Sequence, residues 1–347
     1  MSCEFLIVGQ GLAGTLAGHA FEQNDISFAI IDKVLPYSAS PVAAGIIHPV
    51  SGRRFVKAWN YDALVPVFQN TYTQMRDKIG INPLENIPLH LNLASIREEN
   101  DLLAQALRYG YADHLNRLIK EDMVFKSSDV CYSLPAFKVN IQEMISLFRK
   151  RWSGQNKYYH DVLDYSKLIR IKNKWQYRDI TADQVVFCEG CHIRDNPWFK
   201  NLPIVPNKGQ VLLFKKPERY SLNNLIKQNL LFTEFDQKIW AGATYEWDFD
   251  SPSPDSMGWK YLSQSVSEVI KMPLDIKVHA SGLRPTVSDR KPIIASHPTY
   301  LNLWAINGFG TKGASIGPFV VNEFIGLLKA DIKTNLFTPN RLKEYLT

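Results

Sequence analysis

Three glycines and one acid carry the most pointed chemistry in this 347-residue chain. They are Gly9, Gly11 and Gly14, spaced Gly-x-Gly-x-x-Gly, followed by Asp32. In that spacing Gly9 turns the chain sharply, Gly11 lets the backbone approach a pyrophosphate, and Gly14, with Gly18, lets a helix lie close on a sheet. Leu12 and Ala13 sit in the same turn, where a helix N-terminus offers free N–H groups and a partial positive charge to phosphates. Asp32, with Lys33 after it, is placed to accept hydrogen bonds from a ribose hydroxyl pair, and an acid there disfavours the 2′-phosphate of NADP. NAD and FAD both fit this reading.

Such a turn works only if strands and a helix hold it. Phe5–Val8 is an apolar run of one strand's length, Leu12, Leu16, Ala20 and Phe21 recur at helical spacing, and Ile26–Ile31 is a second apolar run ending at Asp32. The order strand, turn, helix, strand, acid is that of a dinucleotide-binding βαβ unit.

Three further stretches have the same flavour. Ala39–Pro49 is rich in small residues, including Ala43, Ala44, Gly45 and Ile46, and can lie flat against a planar ring; His48 at its end reads as a local structural residue. A predicted strand, Gln184–Phe187, runs into Cys188-Glu189-Gly190. Near the end, Leu303–Asn307 feeds Gly308-Phe309-Gly310-Thr311-Lys312-Gly313 and a helix over 315–330, another N-terminus suited to an anionic ring edge. Before it, Gly282, Pro285 and Pro292 fix Arg284 in a stiff setting, with Asp289 as a residue that holds the loop.

Length suggests about two domains. Hydrophobic residues make up 45% and charged residues 21%, as in ordinary globular proteins. No apolar run reaches the roughly 18 residues of a membrane span, and the first strand starts too early for a signal peptide, so a cytoplasmic location is expected. Four cysteines suit a reducing compartment, and Cys188-x-x-Cys191 lacks the second pair a metal site needs. The formal charge of +6 is spread over clusters at Arg53-Arg54 with Lys57, at Arg149–Arg151 and at Lys215-Lys216, all read as solvated surface. A nucleic-acid footprint would be a denser stripe.

Helices are expected over 61–79, 98–109, 140–151 with Asn140 as cap, and 255–272. Short strands are expected over 158–162, 168–171 and 174–178, and an antiparallel group over 210–214, 230–235, 239–244 and 276–280. The expected fold is α/β: a Rossmann-like domain from 1–83, 136–203 and 282–347, and an α+β substrate domain with a mainly antiparallel sheet from 84–135 and 204–281.

With these pieces located, nearly the whole chain resembles the FAD-dependent amine oxidoreductases of the D-amino acid oxidase and glycine oxidase family. The resemblance is strongest over 9–32, 39–47, 282–292 and 308–313, and weak over 84–135. It implies FAD rather than NAD, with Gly9, Gly11, Gly14 and Asp32 at the ADP half, Ala43, Ala44, Gly45 and Ile46 along the pyrophosphate and flavin, and Gly308, Gly310, Thr311, Lys312 and Gly313 at the flavin's pyrimidine edge. It implies that Arg284 pairs with a substrate carboxylate through a bidentate fork. It also implies hydride transfer from a small amine or amino acid to flavin N5, with oxygen or another electron acceptor. Some members add a tyrosine from the sheet domain, for which Phe232, Phe235 and Tyr245 are the candidates here. Two alternatives stand beside this. The loop 45–49 and the turn 308–315 also look like the FAD-dependent domain of the bifunctional tRNA wobble-uridine modification enzyme, although the methyltransferase half and a basic face are missing. A flavoprotein that binds FAD for structure or passes electrons is the other.

Overall fold

The first strand dictates the centre of the molecule. In Ser2–Val8 every residue from Phe5 onward is buried, as it must be in a strand with neighbours on both edges and helices over it. It pairs in parallel with Phe28–Asp32 on one side and Ile180–Phe187 on the other, and Ile180–Phe187 pairs in parallel with Leu303–Asn307. In these registers Val8 lies beside Ile31 and Phe187, and Phe187 beside Ala305. The carboxyl ends of four strands therefore share one edge, and the glycine turns after Val8, Phe187 and Asn307 open there together with Asp32. That edge is where ligands bind in open parallel sheets. The structure, a computed structural model, describes residues 1–52, 54–118, 124–126, 130–300, 302–329 and 339–345. Arg53 of the first basic cluster and the expected last residue of the final helix, Ala330, lie outside them.

The first helix, Leu12–Gln23, packs with Tyr61–Ile79, Ile141–Gly154 and Gly313–Leu328 against this sheet. Phe68, Tyr72, Met75, Phe148, Trp152 and Phe324 of those helices are fully buried in the shared core. Asn140 caps its helix as expected, accepting the Glu143 amide. Ser95 does the same for the helix Ile96–Tyr109. The helix expected over 255–272 runs Ser256–Val269, capped by Asp255. Among the described residues no helix is long and apolar enough to cross a membrane.

A second, nine-stranded sheet is antiparallel except where Leu225–Lys227 meets Leu84–Leu93. One face of it packs on the helix Ser256–Val269 through Leu212, Phe214, Phe232 and Ala241. The other face, with Val211, Leu213 and Trp240, receives Val42, Ala44 and Ile46 of the small-residue loop. Two strands run past the limits expected for the antiparallel part of the chain. Val130–Val139 passes residue 135, and Ile276–Val287 passes residue 281. Arg284, read as part of the first domain, is therefore hydrogen-bonded in register with Asn207 as part of the second sheet. The alternation signal fades there because Gly282 and Pro285 interrupt it, although the long partner Ile204–Lys215 keeps the ladder closed.

Candidate cofactor and substrate site

At the sheet edge the backbone is packed too closely for side chains. Gly9 has φ +92°, and a Cβ there would lie 2.7 Å from the Cys188 carbonyl oxygen; one on Gly14 would lie 1.9 Å from the Gly9 oxygen. This close crossing aims the helix N-terminus along the sheet edge. The Leu12 amide donates to Ser40 Oγ at 3.1 Å, while the Ala13 and Gly14 amides have no protein acceptor among the described residues. Two such N–H groups at a helix start form an anion site.

Asp32 sits at the same edge, nearly buried. Its Oδ1 accepts the Gln10 amide at 2.8 Å and its Oδ2 pairs with Arg149 Nη2 at 3.0 Å. The Tyr158 hydroxyl donates to the Asp32 carbonyl at 2.9 Å, and Arg149 also donates to Gln10 Oε1 at 2.9 Å and lies over the Tyr158 ring. Arg149 is thus no surface charge, which corrects the solvated reading of its cluster. Its signal was the helix register from Asn140, which returns that position to the sheet edge. Lys33 points into solvent.

The small-residue loop is fixed from beneath. Gln142 Nε2 donates to the carbonyls of Ser40, Pro41 and Ala43 at 3.1, 3.2 and 2.8 Å. Gly45 has φ +70°, with Val139 so close that a Cβ would fall 1.9 Å from its oxygen. The Trp240 indole donates to Val42 O at 3.1 Å. Ala43, Ala44, Gly45 and Ile46 thereby run between the two sheets.

Gly190 and Gly308 are joined by a buried side chain that sequence reasoning missed. Asn307 Nδ2 donates to the Gly190 carbonyl at 2.8 Å, and Asn307 Oδ1 accepts the Gly308 amide at 2.8 Å. Beyond them Gly310 donates to Pro285 O at 3.0 Å, tying the last glycine turn to the strand that carries Arg284. Lys312 occupies the N-cap position of the final helix without a side-chain cap, and the Gly313 and Ala314 amides have no protein acceptor among the described residues; Thr311 is exposed. Burial pushes the Lys312 ammonium down to about 8, with Lys227 adding to the shift. Burial, then Lys312 and Lys227, holds His48 well below its usual value. Lys312 thus places a buried cation at the start of the final helix, where cation and helix N-terminus together favour an anionic ring edge.

Arg284 lies flat over the backbone of Gly209, where a Cβ would fall 2.1 Å from Nη2. Its Nη1 donates to Asn207 Oδ1 at 2.6 Å and to Thr244 O at 3.1 Å. Nη2 and Nε have no protein acceptor among the described residues, so the side-on edge of the fork is open. The Tyr245 ring covers one face of the guanidinium, 4.6 Å from Cζ to the ring centroid. Of the three aromatic candidates, Phe232 is buried on the opposite face against the helix and Phe235 lies beside Trp240, which leaves Tyr245 at the arginine. Asp289 pairs with Arg341 and accepts the Lys291 amide, as befits a residue that holds its loop. Cys188 and Cys191 are free thiols, and burial raises both.

Open amides at two helix starts, an acid at the sheet edge, a loop of small residues and the buried Lys312 suit a long anionic cofactor. Residues 4–320 match the family model described as FAD dependent oxidoreductase. The chain belongs to that family. FAD is therefore the cofactor of this FAD dependent oxidoreductase, and the glycine cradle, open amides and loop described above fit it. A glycine oxidase of Pseudomonas aeruginosa is 26% identical over 145 residues, covering 40% of each chain. One of Pseudomonas putida is 27% identical over 43% of this chain and 42% of its own. The chain thus matches about two fifths of the length of these curated relatives. Among solved structures, glycine oxidase from Bacillus cereus superposes with TM-score 0.79 at 16% identity, covering 99% of this chain and 98% of its own. Iminodiacetate oxidase from Chelativorans sp. superposes at 0.78 and 18% identity with the same coverage. These two likenesses show the shared fold.

Proposed function

We propose that this FAD dependent oxidoreductase oxidises the C–N bond of a small carboxylated amine or amino acid. The observation that carries the reading is the open Nε/Nη2 edge of Arg284. Two parallel N–H groups of a planar cation, with no acceptor among the described residues, match a carboxylate. Asn207 and Thr244 stop the fork from rotating, and Gly209 gives it a flat bed, so its geometry is set before substrate arrives. FAD, when bound, supplies the hydride acceptor. The residues of this chain bind and orient: Arg284 would anchor the carboxylate, and Tyr245 covers one face of the guanidinium that holds it. Glu246, the nearest acid in sequence to Tyr245, already accepts from Thr244 Oγ1 and Gln210 Nε2, so it is committed to structure.

In the same reading Gly9, Gly11, Leu12, Ala13, Gly14, Asp32 and Lys33 hold the adenosine diphosphate half, and Ala43 to Ile46 and Gly190 line the middle. Gly308, Gly310, Thr311, Lys312 and Gly313 meet the ring edge. The relatives named glycine oxidase and iminodiacetate oxidase support an amine substrate that carries a carboxylate. The test is anaerobic reduction of the bound flavin by glycine, sarcosine, other N-alkyl glycines and D-amino acids. Bleaching by at least one of them is expected; a flavin that stays oxidised with all of them removes the proposal.

A further inference from the structure

Next to Arg284 the chain holds two large rings in water. Tyr245 is 56% exposed and Trp247 57% exposed, with ring centroids 6.4 Å apart. Tyr245 at the same time covers the guanidinium, so cation, phenol and indole form one continuous surface leading out of the site. Single exposed aromatics are ordinary. These two differ because the residue between them is pinned. The Glu246 amide donates to Lys208 O at 3.0 Å and its carbonyl accepts the Lys208 amide at 2.9 Å. Its carbonyl also accepts from Asn207 Nδ2 at 3.1 Å, and its carboxylate accepts from Gln210 Nε2 at 2.9 Å. The Lys208 ammonium, buried on a side chain 1% exposed, pairs with Glu246 at 3.5 Å and with Asp255. A buried lysine is thus committed to fixing a segment whose outward product is a pair of exposed rings.

We infer that Tyr245 and Trp247 form a stacking ledge that selects carboxylated amines bearing a planar aromatic or heteroaromatic group. This deepens the proposed function and rests on its assignment of the carboxylate to Arg284. The carboxylate takes the open edge of Arg284 while the ring of the same molecule lies on the exposed indole. Because the ledge is half open, that ring remains partly in solvent, which permits it to belong to a larger molecule. Stacking on an indole of this exposure is worth about tenfold in affinity.

The experiment is a binding titration of the FAD-loaded protein with sarcosine, N-benzylglycine and N-(cyclohexylmethyl)glycine, followed by flavin absorbance. N-Benzylglycine is expected to bind at least about tenfold tighter than the other two. Trp247→Ala should collapse that ratio and Trp247→Phe should restore most of it. Equal affinities for the three ligands, with sarcosine still bound, overturn the ledge and leave the role of Arg284 standing. Failure of all three to bind overturns the carboxylate assignment and the ledge with it. A changed sedimentation coefficient in Trp247→Ala with the ligand ratio intact assigns the rings to contact between copies and overturns the inference.

Discussion

Arg284 concentrates the argument at the residue scale. Burial lowers its pKa from the ordinary value, and a guanidinium keeps its proton in proteins, so its charge is secure. Arg284→Ala should retain FAD and weaken a carboxylated substrate at least about tenfold, the scale of one charged hydrogen-bonded pair. Arg284→Lys should recover little, since an ammonium cannot reproduce the side-on fork; full recovery with lysine, measured as kcat/KM, would show that charge alone matters. A second residue gives a pH signature. Burial raises the Glu189 carboxyl from 4.5 to about 7, against the Tyr165 and Asn196 hydrogen bonds that lower it. Its folded pKa lies above its unfolded one, so its contribution is fully present below pH 4.5 and is lost as pH rises through 7. The slope is at most about 1.4 kcal/mol per pH unit in that window. Glu189→Gln keeps an acceptor for Asn196 and turns an NH2 toward the Tyr165 hydroxyl, which can accept, and should flatten the thermal stability profile between those values. A variant with the wild-type slope would assign the loss to other groups.

At the scale of elements, the glycine turns were legible because each is a local event: an apolar run, then a residue without Cβ, then helical spacing. The first turn, the loop over 39–49 and the last turn are where the sequence placed them. Gly14→Ala should displace the first helix from the Gly9 carbonyl and lower FAD affinity at least about tenfold, the scale of an overpacked contact. Fluorescence titration of the apoprotein checks this, and wild-type affinity would show that the crossing can relax. What was not legible came from partners distant in sequence. Arg149 meets Asp32 across 117 positions, Asn307 meets Gly190 across 117, and Arg284 meets Asn207 across 77. Gly209 carried no motif, and only the position of Arg284 explains it. Tyr245 stood as one of three aromatics until the sheet register put Phe232 on the other face.

At the scale of the molecule, the two sheets meet along the small-residue loop, with Val42, Ala44 and Ile46 on the second sheet and Gln142 reaching the loop from the helices packed on the first sheet. In the proposed placement FAD runs from the turn at Gly9 past the small-residue loop to Lys312, so it should stabilise the two sheets as one. Saturation at a hundredfold excess over the dissociation constant should add about 2.7 kcal/mol. Coincident melting of both parts in the FAD-loaded protein checks this, and separate transitions with no shift would contradict it. The central claim is that this site passes a hydride from a carboxylated amine anchored by Arg284. Its most direct measurement is anaerobic bleaching of the bound flavin by N-alkyl glycines and amino acids, run side by side with wild type and Arg284→Ala. The account predicts bleaching in wild type at substrate concentrations at least about tenfold below those the variant requires. Identical concentration dependence in the two proteins, or no bleaching of wild type by any of these amines, would contradict it.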